Sequence, residues 1–429
     1  MKQKLLRLLA DLRFAIAILL IISLISIIGT IIEQDQSIEV YKLNYPLTNK
    51  LFGIFSWDII LKLGFDHVYK TWWFILLISL FGVSLLTCTF LQQVPSLRIA
   101  RRCQFFRTDQ QFSKLKILKE IKKVSLNQIL FRLKENQYSI FQQKDIVYCY
   151  KGLIGRLAPV IVHFSMILIL LGSIIGAIDG FKAQEIVPKT ESFHIQNLLT
   201  NGEVSSIPKT VTRVNDFWIT YNKQNAVSQF YSDISFLKEN GSEIYRKTIY
   251  VNSPAVYNNN YFYQIDWDLI GLRFTLDNLE VNQSSLMNVG NDTNKIWFSW
   301  IPTNSELSDG LTVLTNNLQG YLSVYDKSGV FLGNLELNEN TRFPKSINLI
   351  DIISSTGLQI KMDPGIPIIY SGFGFLMIST LVSYITYSQI WIIQSSKTNS
   401  LIIGGNTTRA KFDFDFEFFK LTLTQDNKP

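Results

Sequence analysis

Four long apolar runs, none containing Asp, Glu, Lys or Arg, constrain this chain more than any other feature: residues 14–32, 71–91, 157–178 and 366–393. The hydrocarbon core of a bilayer is roughly 30 Å thick, and about 20 helical residues cross it. Each run is long enough to do so. Composition agrees: hydrophobic residues make up 47% of the chain and charged residues 17%, whereas soluble domains carry about a quarter charged. The first run follows Lys2, Lys4, Arg7 and Arg13, as a secretory signal would. A signal's apolar core is shorter, about 7 to 15 residues, and ends at a small-residue cleavage site. Ile31-Ile32-Glu33-Gln34-Asp35 offers none, so a retained span is expected.

The fold class expected is therefore a multi-pass α-helical membrane protein with four spans and a large β-rich extramembrane domain between the third and the fourth. Lys and Arg set its orientation. Four precede the first span, and Arg98, Arg101, Arg102, Arg107, Lys144, Lys151 and Arg156 flank the segment between the second and third spans. That places residues 1–13 and a basic α/β unit at 92–156 inside, with residues 394–429 returning there as a C-terminal tail. Residues 14–91 hold the first two spans and an outer loop, and residues 179–365 form the outer domain, where 20 acidic residues outnumber 14 basic ones. The net charge of +7 is accounted for by this signal beside anionic headgroups and calls for no nucleic acid. The partner it implies is the lipid bilayer.

Cysteine usage is one-sided. Cys88 lies in a span and Cys103 and Cys149 lie inside, so the outer domain can hold no disulfide. No C-x-x-C pair and no C-x-x-C-H site occurs, which excludes disulfide exchange through such a motif and covalent haem on this chain. Nor is there an H-E-x-x-H, a phosphate loop, a G-x-S-x-G or a dinucleotide fingerprint.

Local patterns fill in the units. Residues 33–70 read as a polar and aromatic loop broken by Pro46, Gly53 and Gly64, and Trp72 and Trp73 suit an interfacial belt. Ser125-Leu126-Asn127-Gln128 reads as a capping box opening a helix to about Lys134, followed by strands at Tyr138 to Phe141 and Ile146 to Tyr150. In the outer domain Asp216 to Tyr221, Ile244 to Val251, Tyr261 to Trp267 and Leu272 to Leu276 are rich in β-branched and aromatic residues between turn signals. An antiparallel sandwich or barrel of about ten strands is expected. Pro364 and Pro367 suit the first turn of the last span. Lys411 to Phe418 alternates strictly and predicts a strand docked on the inner unit.

Three histidines occur. His163 lies about six residues, roughly 9 Å, into the third span. An ionisable group at such depth faces protein or a cavity and marks a function. Two readings stand: a neutral imidazole bonded to a neighbouring helix, or a metal ligand, since neutral imidazole is a standard axial ligand of haem iron. His67, beside Asp66, reads as an outer ligand or proton relay, or as a polar residue of the aromatic belt. His194 reads as a surface residue. Most of a bilayer separates His67 and His194 from His163, so a second ligand to an iron at His163 has to come from another chain.

The order of blocks along the chain resembles the ResB family, also called CcsB. Gly29-Thr30-Ile31-Ile32-Glu33-Gln34 ends the first span and Asp66-His67-Val68-Tyr69-Lys70-Thr71-Trp72-Trp73-Phe74 opens the second; Lys151-Gly152 and Gly155-Arg156 lead to His163. Val251-Asn252-Ser253-Pro254, Tyr257, Tyr263-Gln264-Ile265-Asp266-Trp267, Asp363-Pro364-Gly365-Ile366-Pro367 and Gly404-Gly405-Asn406-Thr407-Thr408-Arg409-Ala410 complete the series. The chain is similar to the plastid and cyanobacterial branch, in which this subunit is separate from a CcsA-type partner. That partner bears the tryptophan-rich haem-handling motif, which this chain lacks.

The resemblance implies a non-autonomous subunit of the system II cytochrome c synthase. Such a synthase carries haem across the membrane and joins its vinyl groups to the reduced cysteines of C-x-x-C-H sites. Implied partners are the CcsA-type subunit and apocytochromes c, including the cytochrome f type; the implied cofactor is haem, transported as substrate. His163 is the position carried over as axial ligand of haem iron, with His67 as a second haem-binding position and no catalytic residue on this chain. An abundance of Ile, Asn, Lys and Phe, and no Ser/Arg-rich transit peptide before the first span, point to plastid encoding. The expected location is the plastid thylakoid membrane with the large domain in the lumen, or the cyanobacterial thylakoid as the alternative. A membrane scaffold or sensor whose β-domain does not bind haem is the competing reading. A transporter is disfavoured, because only His163 is polar and ionisable at mid-depth.

Overall fold

The computed structural model of the chain describes residues 2–422 apart from 49, 52, 123, 224–225, 278–279, 291–294, 305–308, 344 and 395–399. It divides into two compact units, Met1–Ile175 with Gly365–Pro429, and Gly176–Pro364.

The first unit contains the apolar helices. Leu12–Ile31, Trp72–Ala100, Ile154–Asp179 and Ile366–Ser383 are each long and apolar enough to cross a membrane. Their flanks leave large side chains uncovered, among them Leu20, Leu24, Met377 and Leu381 at 59, 63, 67 and 72% exposure. A continuous apolar surface of this kind suits lipid or another apolar chain. Asp11 caps the first of these helices, its carboxylate accepting from the Arg13 N–H at 2.9 Å. The fourth is shorter than expected. It stops at Ser383, and residues 388–393, expected in the span, belong instead to the strand Ser388–Gln394.

Small residues set the close approach of the third and fourth helices. A Cβ on Gly172 would lie 2.7 Å from Ile369 Cγ1 and 2.9 Å from the Gly365 carbonyl, and one on Gly372 would lie 2.7 Å from Ile169 Cγ1. Between helices without a hydrophobic driving force, such contact supplies the van der Waals packing that holds them. The first three helices meet through Ile18, Phe81 and Leu85, with Met166 and Leu170 against them. After Cys88 the second helix widens into a π-turn, Thr89–Gln93, and then continues as Val94–Ala100. Pro95 is the cause consistent with its position: it has no N–H to give the Leu91 carbonyl, and its ring crowds that group.

Outside the apolar helices this unit builds two small folded parts, the second with a hydrophobic cluster on each face of its sheet. Residues 33–70, expected as a loop, fold into the helices Ile38–Asn44 and Trp57–Leu63 around buried Ile32, Tyr41 and Ile60. Gly64 closes the second of them at φ 73°, the left-handed conformation glycine adopts freely. The other is an antiparallel sheet in the order Ile117–Ile121, Leu401–Thr407, Ser388–Gln394, Ile146–Lys151, Ser139–Gln143. Helix Leu126–Glu135, capped by Ser125 accepting from the Gln128 N–H, buries Ile129 and Leu133 against it. Residues 394–429 are thus not a simple tail, since two of their segments complete this sheet and its cover. Lys151, just before the third apolar helix, is paired with Ser388, just after the fourth.

Lys411–Thr422 is a helix, which corrects the strand expected from its alternation. The aromatic repeat also places Phe414, Phe418, Leu421 and Thr422 on one helical face, and these are the buried residues. Asp413 in its first turn and Lys420 in its last complement the helix dipole.

The second unit contains sixteen strands among the described residues, in sheets of seven, five and four, rather than about ten. Its frame is a pair of 17-residue strands, Asn260–Leu276 and Ser346–Met362, joined antiparallel along their length with three register shifts. Tyr261 to Trp267 and Leu272 to Leu276, expected as separate strands, are halves of the first. Ile352 to Leu358 is buried without alternation because both faces are covered. One core lies with the five-stranded meander (Trp297, Val313, Leu335 and Leu349), the other with the four-stranded sheet (Val214, Ile234, Phe236 and Ile360). Each fully buried aliphatic or aromatic side chain in them contributes about 1.5–3 kcal/mol.

Candidate functional site

His163 sits on the third apolar helix, half-buried, with its Nδ1 2.8 Å from the Thr89 hydroxyl on the second. Thr89 lies at the start of the π-turn, a local widening that often accompanies functional positions. Its hydroxyl also lies 2.7 Å from the Leu85 carbonyl, to which it donates. A hydroxyl has one proton, so toward His163 it acts as acceptor. The network therefore assigns the proton to Nδ1 and leaves the lone pair on Nε2. Histidine ligands of metals are held in this way, with one ring nitrogen donating to a fixed oxygen and the other free to bind. Nothing in the sequence around Thr89 singles it out, because its role depends on a contact across 74 positions.

His67 has a similar arrangement at the opposite end of the second apolar helix. Its Nδ1 lies 2.8 Å from Asp66 Oδ2, and the imidazole is about half exposed. The other carboxylate oxygen of Asp66 is buried without a hydrogen-bond partner. Helix Trp72–Cys88 separates His67 from Thr89; its 17 residues correspond to about 25 Å at 1.5 Å per residue. The two histidines are not brought together. His194, in the other unit, is exposed and bonded to Gln196 at 2.9 Å. No cluster of three or more His, Cys, Asp or Glu that could hold a metal ion occurs among the described residues.

Several blocks that carry the family resemblance touch one another. Gln34 accepts from the Val68 N–H at 3.0 Å and donates to the Phe65 carbonyl at 2.9 Å, tying the end of the first span to the start of the second. Gly29 leaves room for Tyr69, whose hydroxyl would lie 3.1 Å from any Cβ there. In the β-domain Gln264 Oε1 accepts from Thr356 at 2.9 Å and from Ser232, all three buried. Lys295 bonds Asp266 at 2.8 Å and the Trp267 carbonyl at 2.6 Å, and Trp267 packs 5.1 Å from Trp297. The tyrosine-glutamine-x-aspartate-tryptophan block is thus a structural tie between strands.

Four helices of membrane-crossing length, a small α/β unit and a large β-rich domain define a membrane-associated protein with one large extramembrane domain. The chain belongs to the ResB-like family, whose profile matches residues 12–308 and 304–419. It is 67% identical over 421 residues to the cytochrome c biogenesis protein Ccs1 of Trieres chinensis, covering 98% of this chain and 100% of that protein. The Ccs1 of Porphyra purpurea is 44% identical over 97% of this chain and 95% of its own length. The cytochrome c biogenesis protein CcsB of Trichormus variabilis is 43% identical, over 98% and 92%. The chain acts in c-type cytochrome biogenesis, in a membrane setting shared by plastid-bearing algae and cyanobacteria.

Proposed function

We infer that the chain is a haem-handling subunit of a system II type cytochrome c synthase, in which His163 supplies one axial ligand to haem in transit through the membrane. The single observation that carries this reading is the Thr89 contact, which orients the imidazole and leaves Nε2 with its lone pair. Haem is the cargo. A second ligand comes from a CcsA-type partner, because His67 lies a helix length away. His67, oriented by Asp66, holds haem at the opposite side of the membrane. The β-domain faces the apocytochromes c in the thylakoid lumen, where its lack of cysteine leaves no thiol to compete for the haem vinyl groups.

Cytochrome maturation in a strain carrying His163→Ala tests this reading. The complex should assemble with its partner, contain less haem and mature less cytochrome c, and added imidazole should restore part of both. Normal haem content with normal maturation would leave the chain as a scaffold or sensor.

A further inference from the structure

A cavity of about 310 Å³ opens at the end of the helix bundle that carries the α/β unit. Gln92, Ser96, Gln104, Arg156, Tyr387 and Gln389 line it. Two glycines form this corner. A Cβ on Gly152 would lie 2.0 Å from the Thr386 carbonyl, and one on Gly155 would lie 1.9 Å from the Ile385 carbonyl. Their absence of side chains lets residues 385–387 reach the start of the third apolar helix and sets Tyr387 under Arg156.

Arg156 has unused capacity. Its guanidinium carbon lies 5.2 Å from the centre of the Tyr387 ring, and one terminal nitrogen reaches Ser96 Oγ only at 3.4 Å. Its Nε is buried without a hydrogen-bond partner. None of the six residues named above is acidic. Arg156 is partly buried, and a guanidinium N–H left there without an acceptor is costly until an anion or another acceptor meets it.

The other polar groups answer one another. Gln389 donates to the Tyr148 hydroxyl at 2.7 Å, Tyr148 lies 3.2 Å from the Tyr387 hydroxyl, and Tyr387 donates to the Ala100 carbonyl at 2.9 Å. Burial, with the Tyr148 hydroxyl next, holds Tyr387 protonated well above the usual range, so its phenol does not neutralise the arginine. A planar guanidinium stacked on an aromatic ring presents its edge to a planar anion, and a carboxylate matches it with two parallel bonds.

Helix register connects this cavity to the histidine. Arg156 and His163 are seven residues apart on one continuous helix, which puts them about 20° from the same face and about 10.5 Å apart along the axis. Gln92 follows Thr89 by three residues within the π-turn. The separation is of the order of that between the iron and the propionate carboxylates of a haem. We propose that the Arg156 cavity binds a carboxylate of a porphyrin, the propionate of the haem whose iron faces His163. The proposal rests on the haem reading above, and it fixes which edge of the porphyrin points toward the α/β unit.

The test uses the full chain co-purified with its partner in nanodiscs of phosphatidylcholine, probed with metal-free protoporphyrin IX and with its dimethyl ester. Without iron, ligation by His163 makes no contribution. The wild type should bind the diacid about tenfold more tightly than the diester, and Arg156→Gln should bind both alike. Ser96→Asp, which supplies a carboxylate beside the guanidinium, should abolish the preference in the same way and serves if Arg156→Gln does not assemble. His163→Ala should keep the preference even though it loses the haem spectrum, so failure here and failure of the ligand reading are distinguishable. Equal binding of the two porphyrins by the wild type, or an unchanged preference in assembled Arg156→Gln or Ser96→Asp, would overturn the proposal. So would loss of the preference on replacing the lipid with phosphatidylglycerol, which would assign the cavity to a lipid headgroup.

Discussion

Thr89 accepts a hydrogen bond from His163 across two apolar helices at 2.8 Å, while giving its own proton to the Leu85 carbonyl. Removing the hydroxyl at constant shape separates orientation of the imidazole from its presence. Thr89→Val should assemble normally but bind haem roughly tenfold more weakly, at the lower end of the 10- to 100-fold effects of losing a second-layer partner. Thr89→Ser should recover most of the affinity. Haem titration of the purified complex reads both. Equal affinity in Thr89→Val and the wild type would show that the tautomer is held by something else.

The approach of the third and fourth helices gives a stability prediction. Gly172→Val forces side-chain atoms into the 2.7 Å space before Ile369 and the 2.9 Å space before the Gly365 carbonyl. Overpacking of this kind costs about 1–3 kcal/mol. The variant should show a lower midpoint in thermal unfolding in detergent, whereas Gly374→Ala, where no atom lies within 4 Å of a Cβ, should match the wild type.

In the β-domain, Gln264→Leu removes the acceptor of the buried Thr356 hydroxyl, while Ser232 keeps Thr356 as its partner at 2.8 Å. Unmet buried polar groups cost about 1–3 kcal/mol. Chemical denaturation of the full chain, followed by tryptophan fluorescence, should show the domain unfolding at lower denaturant. An unchanged midpoint would mean that the network is dispensable.

Thiol chemistry distinguishes Cys149 from Cys103. Burial raises the Cys149 thiol from 9.0 to about 12, and Cys103 is exposed. In native protein a maleimide or iodoacetamide should label Cys103 readily and Cys149 only after unfolding. The linkage sign follows from the raised value: the folded state holds this proton more tightly than the unfolded state. The stability contributed is complete below pH 9 and is lost as the pH rises through about 12. Cys149→Ala should flatten that alkaline decline in a pH series of unfolding midpoints, and an unaltered slope would contradict the assignment.

Much of the architecture was legible because it rests on local pattern. Uncharged runs located the four apolar helices, and Ser125 with Gln128 located the capped helix of the small unit. Long-range pairing was not legible. Ser388–Gln394 follows the last apolar helix without an intervening charge yet pairs with Ile146–Lys151, a partner no local pattern specifies. The alternating phenylalanines of Lys411–Thr422 satisfy period two and, at Phe414 and Phe418, a helical face as well, and the sheet they cover selected the helix. His163 stood out because a buried imidazole is rare in a span. Thr89 and Arg156 acquire meaning only through what the fold brings beside them.

The visible spectrum of the full chain co-purified with its partner, recorded for wild type and His163→Ala before and after added imidazole, tests the central claim most directly. The wild type should show a low-spin haem spectrum, His163→Ala should lose it or convert it to high spin, and imidazole should restore it in part. A His163→Ala complex with the wild-type haem content and the wild-type spectrum would contradict it.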